Sequence, residues 1–274
     1  MMDLTFLIPT RIETEDRLRN IISSVSYLLM FLEAKVIVKE VAPQPTFGSK
    51  AIPEIGKYVS DHDTCRLTYL YEKTTEPLFC KSKVLNDLIV AADTKFVANY
   101  DADCLLPQES YYKAYYLLES GEADVVYPYG CGIYQWKAEY DWNIYMEFMK
   151  NISYSPLDIL DKRKTLSNST IGWTQFVNRQ KYIDSYMMNE NFVSWGCEDD
   201  EFYFRMSTLG NRIARVDDYV YHLEHSRTHN SWFSSPKFND NYQLWNTIKT
   251  FDKKKLVEYY ESQDYIQRRR KEVC

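Results

Sequence analysis

The first half of the chain alternates between short apolar runs and stretches of helical spacing, and that alternation leaves few folds open. Asp3-Leu4-Thr5-Phe6-Leu7-Ile8-Pro9 opens as a strand, after which Leu18, Ile21, Ile22, Val25, Leu28, Leu29 and Leu32 recur at helical intervals. Residues 34–41 alternate as a strand, and 65–71 read as another. Val84, Leu85, Leu88 and Ile89 mark a helix over 81–92. Lys95-Phe96-Val97-Ala98-Asn99-Tyr100 then reads as a short buried strand, followed by a Tyr-rich helix over 108–120. The order β-α-β-β-α-β-α predicts an α/β protein: a Rossmann-like, doubly wound, mainly parallel central sheet with helices on both faces.

The second half is less regular. A strand is expected at Val125-Val126-Tyr127, a helix over 138–149, a loop over 153–169 and a strand over 170–177. A helix with an acidic start follows over 199–209, then a strand over 212–216. Residues 239–272 read as a C-terminal helical extension, polar on the outside.

Chemistry-bearing residues gather where this pattern puts strand ends. The buried strand at 95–100 runs into Asp101-Ala102-Asp103, and in open α/β sheets ligands collect at the carboxyl ends of strands. Two carboxylates one residue apart can hold a divalent cation and a ribose hydroxyl, since hard oxygens suit Mg²⁺ or Mn²⁺. Downstream, Trp195-Gly196-Cys197-Glu198-Asp199-Asp200-Glu201 places four successive carboxylates behind a Trp-Gly pair. Such a run suits a helix N-terminus, where the dipole favours acids, and equally a site that needs one carboxylate as a base. His222-Leu223-Glu224-His225 carries two of the four histidines, either as surface residues or converging on one metal ion.

Bulk properties narrow the partners. With 274 residues the chain is long enough for one large domain with a decoration, and a net charge of −6 argues against nucleic acid. The one basic run, Arg268-Arg269-Arg270-Lys271, reads as a solvated helix end. With a strand opening at Asp3, no leader peptide is expected, and no apolar stretch approaches the ~18–20 residues of a spanning helix. Six cysteines without C-x-x-C spacing suggest reduced thiols, so a cytoplasmic protein is expected, with peripheral contact at the inner face of a membrane left open. Twenty-four Tyr and six Trp exceed what packing needs, and aromatic faces stack well on sugar rings and bases.

With these residues in place, the chain resembles the inverting glycosyltransferases of the metal-dependent GT-A fold. It is most similar to the β-1,4-galactosyltransferase family and to the N-acetylgalactosamine-adding domains of bacterial chondroitin-type polymerases. The resemblance runs from residue 3 to 227, with its motifs in the family's order. Ile8-Pro9-Thr10-Arg11 is similar to a uridine-binding start with Pro-Phe-Arg, and Phe79-Cys80-Lys81-Ser82-Lys83-Val84-Leu85-Asn86 to F-N-R-A-K-L-L-N. Asp101-Ala102-Asp103 matches D-V-D, Ile171-Gly172-Trp173 falls on F-G-G, and Trp195 to Asp200 matches W-G-G-E-D-D. His222 to Arg227 matches M-x-x-H-S-R. Three departures stand out: Trp173 for a glycine near the sugar nucleotide, Lys81 for an arginine that would offer a bidentate fork, and His222 for Met.

The resemblance implies transfer of a hexose or N-acetylhexosamine from a UDP-sugar, UDP-GalNAc or UDP-Gal favoured, to a glycan hydroxyl in surface polysaccharide synthesis. It implies Mn²⁺ or Mg²⁺ held by Asp103, His222 and His225, and a donor site formed by Pro9, Arg11, Phe79, Lys81, Asp101, Asp103, Gly172, Trp173 and Trp195. Asp199 is the expected base, with Glu198 orienting a sugar and Trp195 stacking on the acceptor. A domain over 1–235 is expected, its nucleotide-binding half at 1–104 and its acceptor and metal half at 105–235, with the extension at 236–274. Thr170, where galactose-specific relatives carry Tyr, is expected to leave room for a 2-acetamido group. A sugar nucleotidyltransferase is the alternative enzyme, although Pro9-Thr10-Arg11-Ile12-Glu13 lacks the glycines of its phosphate loop. A non-catalytic carbohydrate-binding protein is the other alternative.

Overall fold

The computed structural model describes residues 1–154, 156–167 and 171–273. The first half runs β1 (Leu4–Thr10), α1 (Glu15–Phe31), β2 (Lys35–Ala42), a π-helical turn at Phe47–Ala51, α2 (Ile52–Ile55), α3 (Asp61–Thr64) and β3 (Leu67–Lys73). It continues with α4 (Lys81–Ala91), β4 (Phe96–Tyr100), β5 (Cys104–Leu105) and α5 (Gln108–Glu119). The second half contains β6 (Val125–Tyr127), β7 (Gln135–Ala138), α6 (Trp142–Lys150), α7 (Pro156–Asp161), β8 (Lys164–Leu166), β9 (Thr174–Asn178) and α8 (Arg179–Asp184). It ends with α9 (Glu198–Leu209), β10 (Ile213–Arg215), β11 (Val220–Leu223), α10 (Phe238–Ile248), α11 (Lys253–Glu261) and α12 (Asp264–Val273).

Among the described residues the main sheet has seven strands in the order β10-β6-β9-β4-β1-β2-β3. β1 and β4 are buried at every position, which explains their nearly unbroken apolar sequence: strands inside a parallel sheet are covered on both faces. From β1 the chain steps outward to β2 and β3, then returns to place β4 on the other side of β1. Right-handed crossovers in opposite directions put α1 and α4 on opposite faces, and the reversal opens a crevice between the carboxyl ends of β1 and β4. α1 presents Leu18, Ile21, Ile22, Val25, Leu28 and Leu29 to the core, the spacing its sequence carries, and its first turn has Glu15 and Asp16 where the helix dipole favours acids.

Several expectations are corrected. Short helices interrupt the segment between β2 and β3, whereas the sheet is mainly parallel as expected, with β9 alone antiparallel to its neighbours β4 and β6. The helix expected over 138–149 starts later. Asp141 caps it, its carboxylate accepting from Ile144 N at 2.9 Å, while Gln135–Ala138 form a strand. The expected loop over 153–169 contains α7 and β8. A second sheet, β5-β11-β7-β8, was not expected at all. In it β11 pairs with β5 so that His222 lies opposite Cys104. Thr170 lies outside the described residues.

The C-terminal helices pack around Ile248, Leu256, Tyr260 and Ile266, together with Tyr186 and Phe192 from the segment before α9. The rings of Tyr186 and Tyr260 stack at 5.0 Å. No helix among the described residues is long and apolar enough to cross a membrane.

Candidate active site

The crevice at the switch point is a cavity of ≈ 720 Å³, and among the described residues the expected catalytic, donor-site and metal residues all lie on its wall. Pro9 and Arg11 come from the end of β1, Phe79 and Lys81 from the entry to α4, and Asp101 and Asp103 from the end of β4. Gly172 and Trp173 lead into β9, Trp195 to Asp199 enter α9, and His222 and His225 leave β11.

Asp103, His222 and His225 converge, with one ligand atom from each lying within 4.8 Å of the others. The β5–β11 pairing causes this, since Leu223 N donates to Asp103 O at 2.7 Å and draws the two chain segments together. His225 Nε2 stands 3.0 Å from Asp103 Oδ2, and His222 Nε2 3.6 Å from Oδ1. His225 Nδ1 lies 2.8 Å from the Ser226 carbonyl. With Nδ1 donating there, the Nε2 lone pair faces a carboxylate, an arrangement that suits a cation between them. His222 Nδ1 is buried without a hydrogen-bond partner among the described residues, and its ring rests against Trp173 at 5.5 Å. Burial pushes the His222 imidazole down to about 4, against the pull of Asp103. Burial alone would raise the Asp103 carboxyl, but His222 and His225 hold it well below the usual carboxylate range. One carboxylate and two imidazoles form a donor set that fits Mn²⁺ or a similar divalent ion.

A second cluster adjoins the first. Lys81 Nζ lies 2.8 Å from Asp101 Oδ1 and 3.8 Å from Asp199 Oδ2, so one ammonium links the strand-end aspartate to the acidic helix start. Burial raises the Asp101 carboxyl to about 6, opposed by Lys81 and reinforced by Asp103. Asp199 is raised well above the ordinary value: burial leads, Lys81 opposes it, and Glu198 and Asp101 add to it. Its Oδ1 accepts from Gln175 Nε2 at 3.2 Å. Gln175 Oε1 in turn accepts from Asn99 Nδ2 at 3.1 Å, and Asn99 Nδ2 also donates to Tyr182 OH at 2.7 Å. Glu198 is turned inward, its Oε2 accepting from Gly196 N at 3.0 Å. Cys197, at a position where the resembled family has glycine, adopts φ 68°.

Two expected donor residues have structural partners of their own. Arg11 donates to the carbonyls of Val41, Glu76 and Pro77 at 2.8–3.0 Å and lies over the Phe79 ring at 5.5 Å. Trp173, buried, packs between Tyr129 and His222. Sequence reasoning missed Asn99 and Gln175, although polar residues inside two buried strands were a visible signal. It also missed Asp16, whose Oδ2 accepts from Ser226 N and Ser226 Oγ, both at 2.6 Å, tying the segment after His225 to the β1–α1 loop. Asn230 Oδ1 accepts from Phe79 N at 2.9 Å and closes the same wall. Arg17, Lys137 and Arg227 also line the cavity, and none forms a salt bridge among the described residues.

Residues 163–226 match a family model described as the N-terminal domain of galactosyltransferase. That stretch contains β9, the W-G-C-E-D-D turn, α9 and both histidines of the triad. Among solved structures the chain is similar to S. aureus TarS 1-349 in complex with UDP-GlcNAc, at 16% identity and a TM-score of 0.57. That likeness covers 89% of this chain and 64% of the other. It is also similar to the mannosyltransferase PcManGT from Pyrobaculum calidifontis in complex with GDP-Man and Mn²⁺, at 16% identity and a TM-score of 0.52, covering 81% and 56%. The chain thus spans less than two thirds of either structure's length. No curated protein matches its sequence. Taken with the galactosyltransferase-type segment, these likenesses place the chain, in fold, among the GT-A glycosyltransferases.

Proposed function

We propose that the chain is a metal-dependent, inverting glycosyltransferase that moves a hexose or N-acetylhexosamine from a UDP-sugar to a hydroxyl of a glycan acceptor. The observation that carries this reading is the convergence in one cavity of the Asp103–His222–His225 set and the Lys81–Asp101–Asp199 cluster. A divalent ion held by the triad would supply Lewis-acid stabilisation of a leaving diphosphate. Arg17, Lys137 and Arg227 add cationic charge beside it, in a cavity whose other titratable groups are mostly acidic. Asp101 lies at the strand end where a ribose hydroxyl would be bound, with Pro9, Arg11 and Phe79 forming the wall for the base.

In the transfer step the acceptor oxygen bonds to the anomeric carbon. The carbon–phosphate oxygen bond breaks, its electron pair leaves with the diphosphate, and the hydroxyl proton passes to Asp199. A carboxylate with a raised pKa is a competent base near neutral pH. Lys81 stabilises its ionised form before the proton arrives, Gln175 orients it, and Glu198 and Trp195 face the incoming sugars. A single displacement inverts the anomeric centre. UDP-GalNAc and UDP-Gal are the favoured donors on the family resemblance, Mn²⁺ or Mg²⁺ the cofactor, and surface polysaccharide synthesis on the cytoplasmic side of a membrane the setting.

Calorimetry of UDP binding with Mn²⁺ and with excess chelator tests the reading, together with a panel of nucleotide sugars scored for hydrolysis. Binding that is at least tenfold tighter with Mn²⁺ is expected. Equal affinity in chelator, or inertness toward the whole panel, would overturn it.

A further inference from the structure

Beside the catalytic cluster the cavity wall is aromatic, and much of that surface is open. The Trp195 ring lies 5.9 Å from Trp232, 4.9 Å from Phe233 and 5.6 Å from Phe238. Phe238 stacks at 6.0 Å on Tyr242, one helical turn further along α10. Phe238 is the root of this shelf. It packs so closely on Gly196 that a Cβ there would meet its ring at 2.9 Å. Trp232, Phe233 and Tyr242 are 40, 58 and 50% exposed. Contiguous exposed aromatics of this kind mark a binding surface, because leaving them in water forfeits their burial.

We propose that Trp232, Phe233 and Tyr242 form a second acceptor subsite. It binds a sugar ring beyond the one that receives the transferred unit, so the acceptor is an oligosaccharide or longer glycan. This rests on the transferase reading above. Two features select a sugar over a lipid or a protein. The shelf is continuous with the cavity that holds Asp199 and starts at Trp195, four residues before that carboxylate. Its edge is also polar: the Arg227 guanidinium lies 4.7 Å over Trp232, and Asn230 and Ser231 line the same wall. A pyranose presents an apolar C–H face ringed by hydroxyls, so it needs an aromatic floor with hydrogen-bonding groups at the rim. A membrane-facing patch would lack that rim. The shelf hangs on the segment leaving His225 and on the start of α10, so acceptor length would be sensed by residues outside the transfer chemistry.

The test is calorimetry of the full chain, with and without UDP and Mn²⁺, against mono-, di- and trisaccharides of hexoses and N-acetylhexosamines. At least one series should bind about tenfold tighter when a second ring is added. Trp232→Ala and Phe233→Ala should erase that gain, Trp232→Phe should keep most of it, and UDP affinity should not change in any of the three. No gain with length in any series, or a gain that survives both alanine variants, would overturn the proposal. So would variants that instead lose binding to phosphatidylglycerol vesicles or lose self-association in sedimentation. A wild type that gains with length yet binds no UDP would refute the transferase reading and leave the shelf standing.

Discussion

Gly172 and Asp199 are in such close contact that a Cβ built on Gly172 would lie 2.5 Å from Asp199 Oδ2 and 3.2 Å from its Cγ. The glycine just before β9 thus fixes where the carboxylate at the start of α9 can sit. Gln175, three residues further on, holds the other oxygen. Gly172→Ala should push the carboxylate off its position without touching the metal triad. Displacing a reacting group by about 1 Å costs roughly 10²-fold in turnover. The expected result is a fall of that order in kcat, with UDP affinity in Mn²⁺ changed less than threefold. Undiminished turnover in the alanine variant would mean that Asp199 is not the base.

Asp199 also sets a conflict between stability and chemistry. Its folded-state pKa lies well above 3.8, through burial first and then Glu198 and Asp101, with Lys81 opposing. The protonated form therefore stabilises the fold fully below pH 3.8, and that contribution is lost as pH rises through the raised value. At neutral pH the ionised carboxylate is a liability. Asp199→Asn should abolish transfer, leave UDP binding nearly intact, and raise the melting temperature at pH 7 by a few degrees, on the order of 1–3 kcal/mol. The gain should shrink as the melts are repeated toward pH 4. A variant less stable than wild type at pH 7, or one that still turns over, contradicts this assignment.

Asp16 should influence metal binding from outside the proposed ligand set. Its carboxylate receives both the amide and the hydroxyl of Ser226, whose carbonyl faces His225 Nδ1. Groups that orient a ligand imidazole typically matter 10–100-fold in metal affinity. Asp16→Ala should weaken Mn²⁺ binding by about tenfold in a direct titration without nucleotide. Unchanged Mn²⁺ affinity would reduce Asp16 to a loop anchor.

How legible was all this in the sequence? Asp101 and Asp103 were legible because the strand before them is buried on both faces and so carries an apolar signal, broken only at Asn99, up to its end. The acidic start of α9 was equally plain. The second sheet was not, because β5 and β8 are two and three residues long and β7 mixes Gln135, Trp136, Lys137 and Ala138, too short and too mixed for a period. Yet that sheet sets the distance from Asp103 to His222. The Asn99–Gln175 contact depends on antiparallel register between strands 76 positions apart, which no local pattern encodes. Arg11 illustrates a different gap: its partners are main-chain carbonyls, which leave no trace in the identity of the residues that supply them.

The side of α9 that faces away from the cavity carries a buried ion pair. Glu201 and Arg205 form an ion pair with Nε–Oε1 at 2.9 Å and no solvent exposure on either side chain. Tyr260 of α11 donates to Glu201, and Arg205 donates to the Ser185 carbonyl, so the pair links α9 to the C-terminal helices. Glu201 lies two positions after Asp199, which turns them to opposite sides of the helix. Removing one partner of a buried pair leaves an uncompensated charge at a cost of about 3–5 kcal/mol. Glu201→Gln should therefore lower the melting temperature by roughly 10 °C in a chain of this size, whereas Tyr260→Phe, which loses the bond to Glu201 and the one accepted from Asn189 Nδ2 at 3.0 Å, should cost about 1–3 kcal/mol. The joint replacement Glu201→Leu with Arg205→Met should recover most of the loss, since an apolar pair of similar volume carries no desolvation penalty. Turnover per UDP-binding molecule, measured well below the melting range, should stay near wild type in Tyr260→Phe. If Glu201→Gln melts like wild type, the pair contributes nothing to holding α9 in place; if Tyr260→Phe loses turnover while staying folded, the C-terminal helices act on the chemistry as well as on stability.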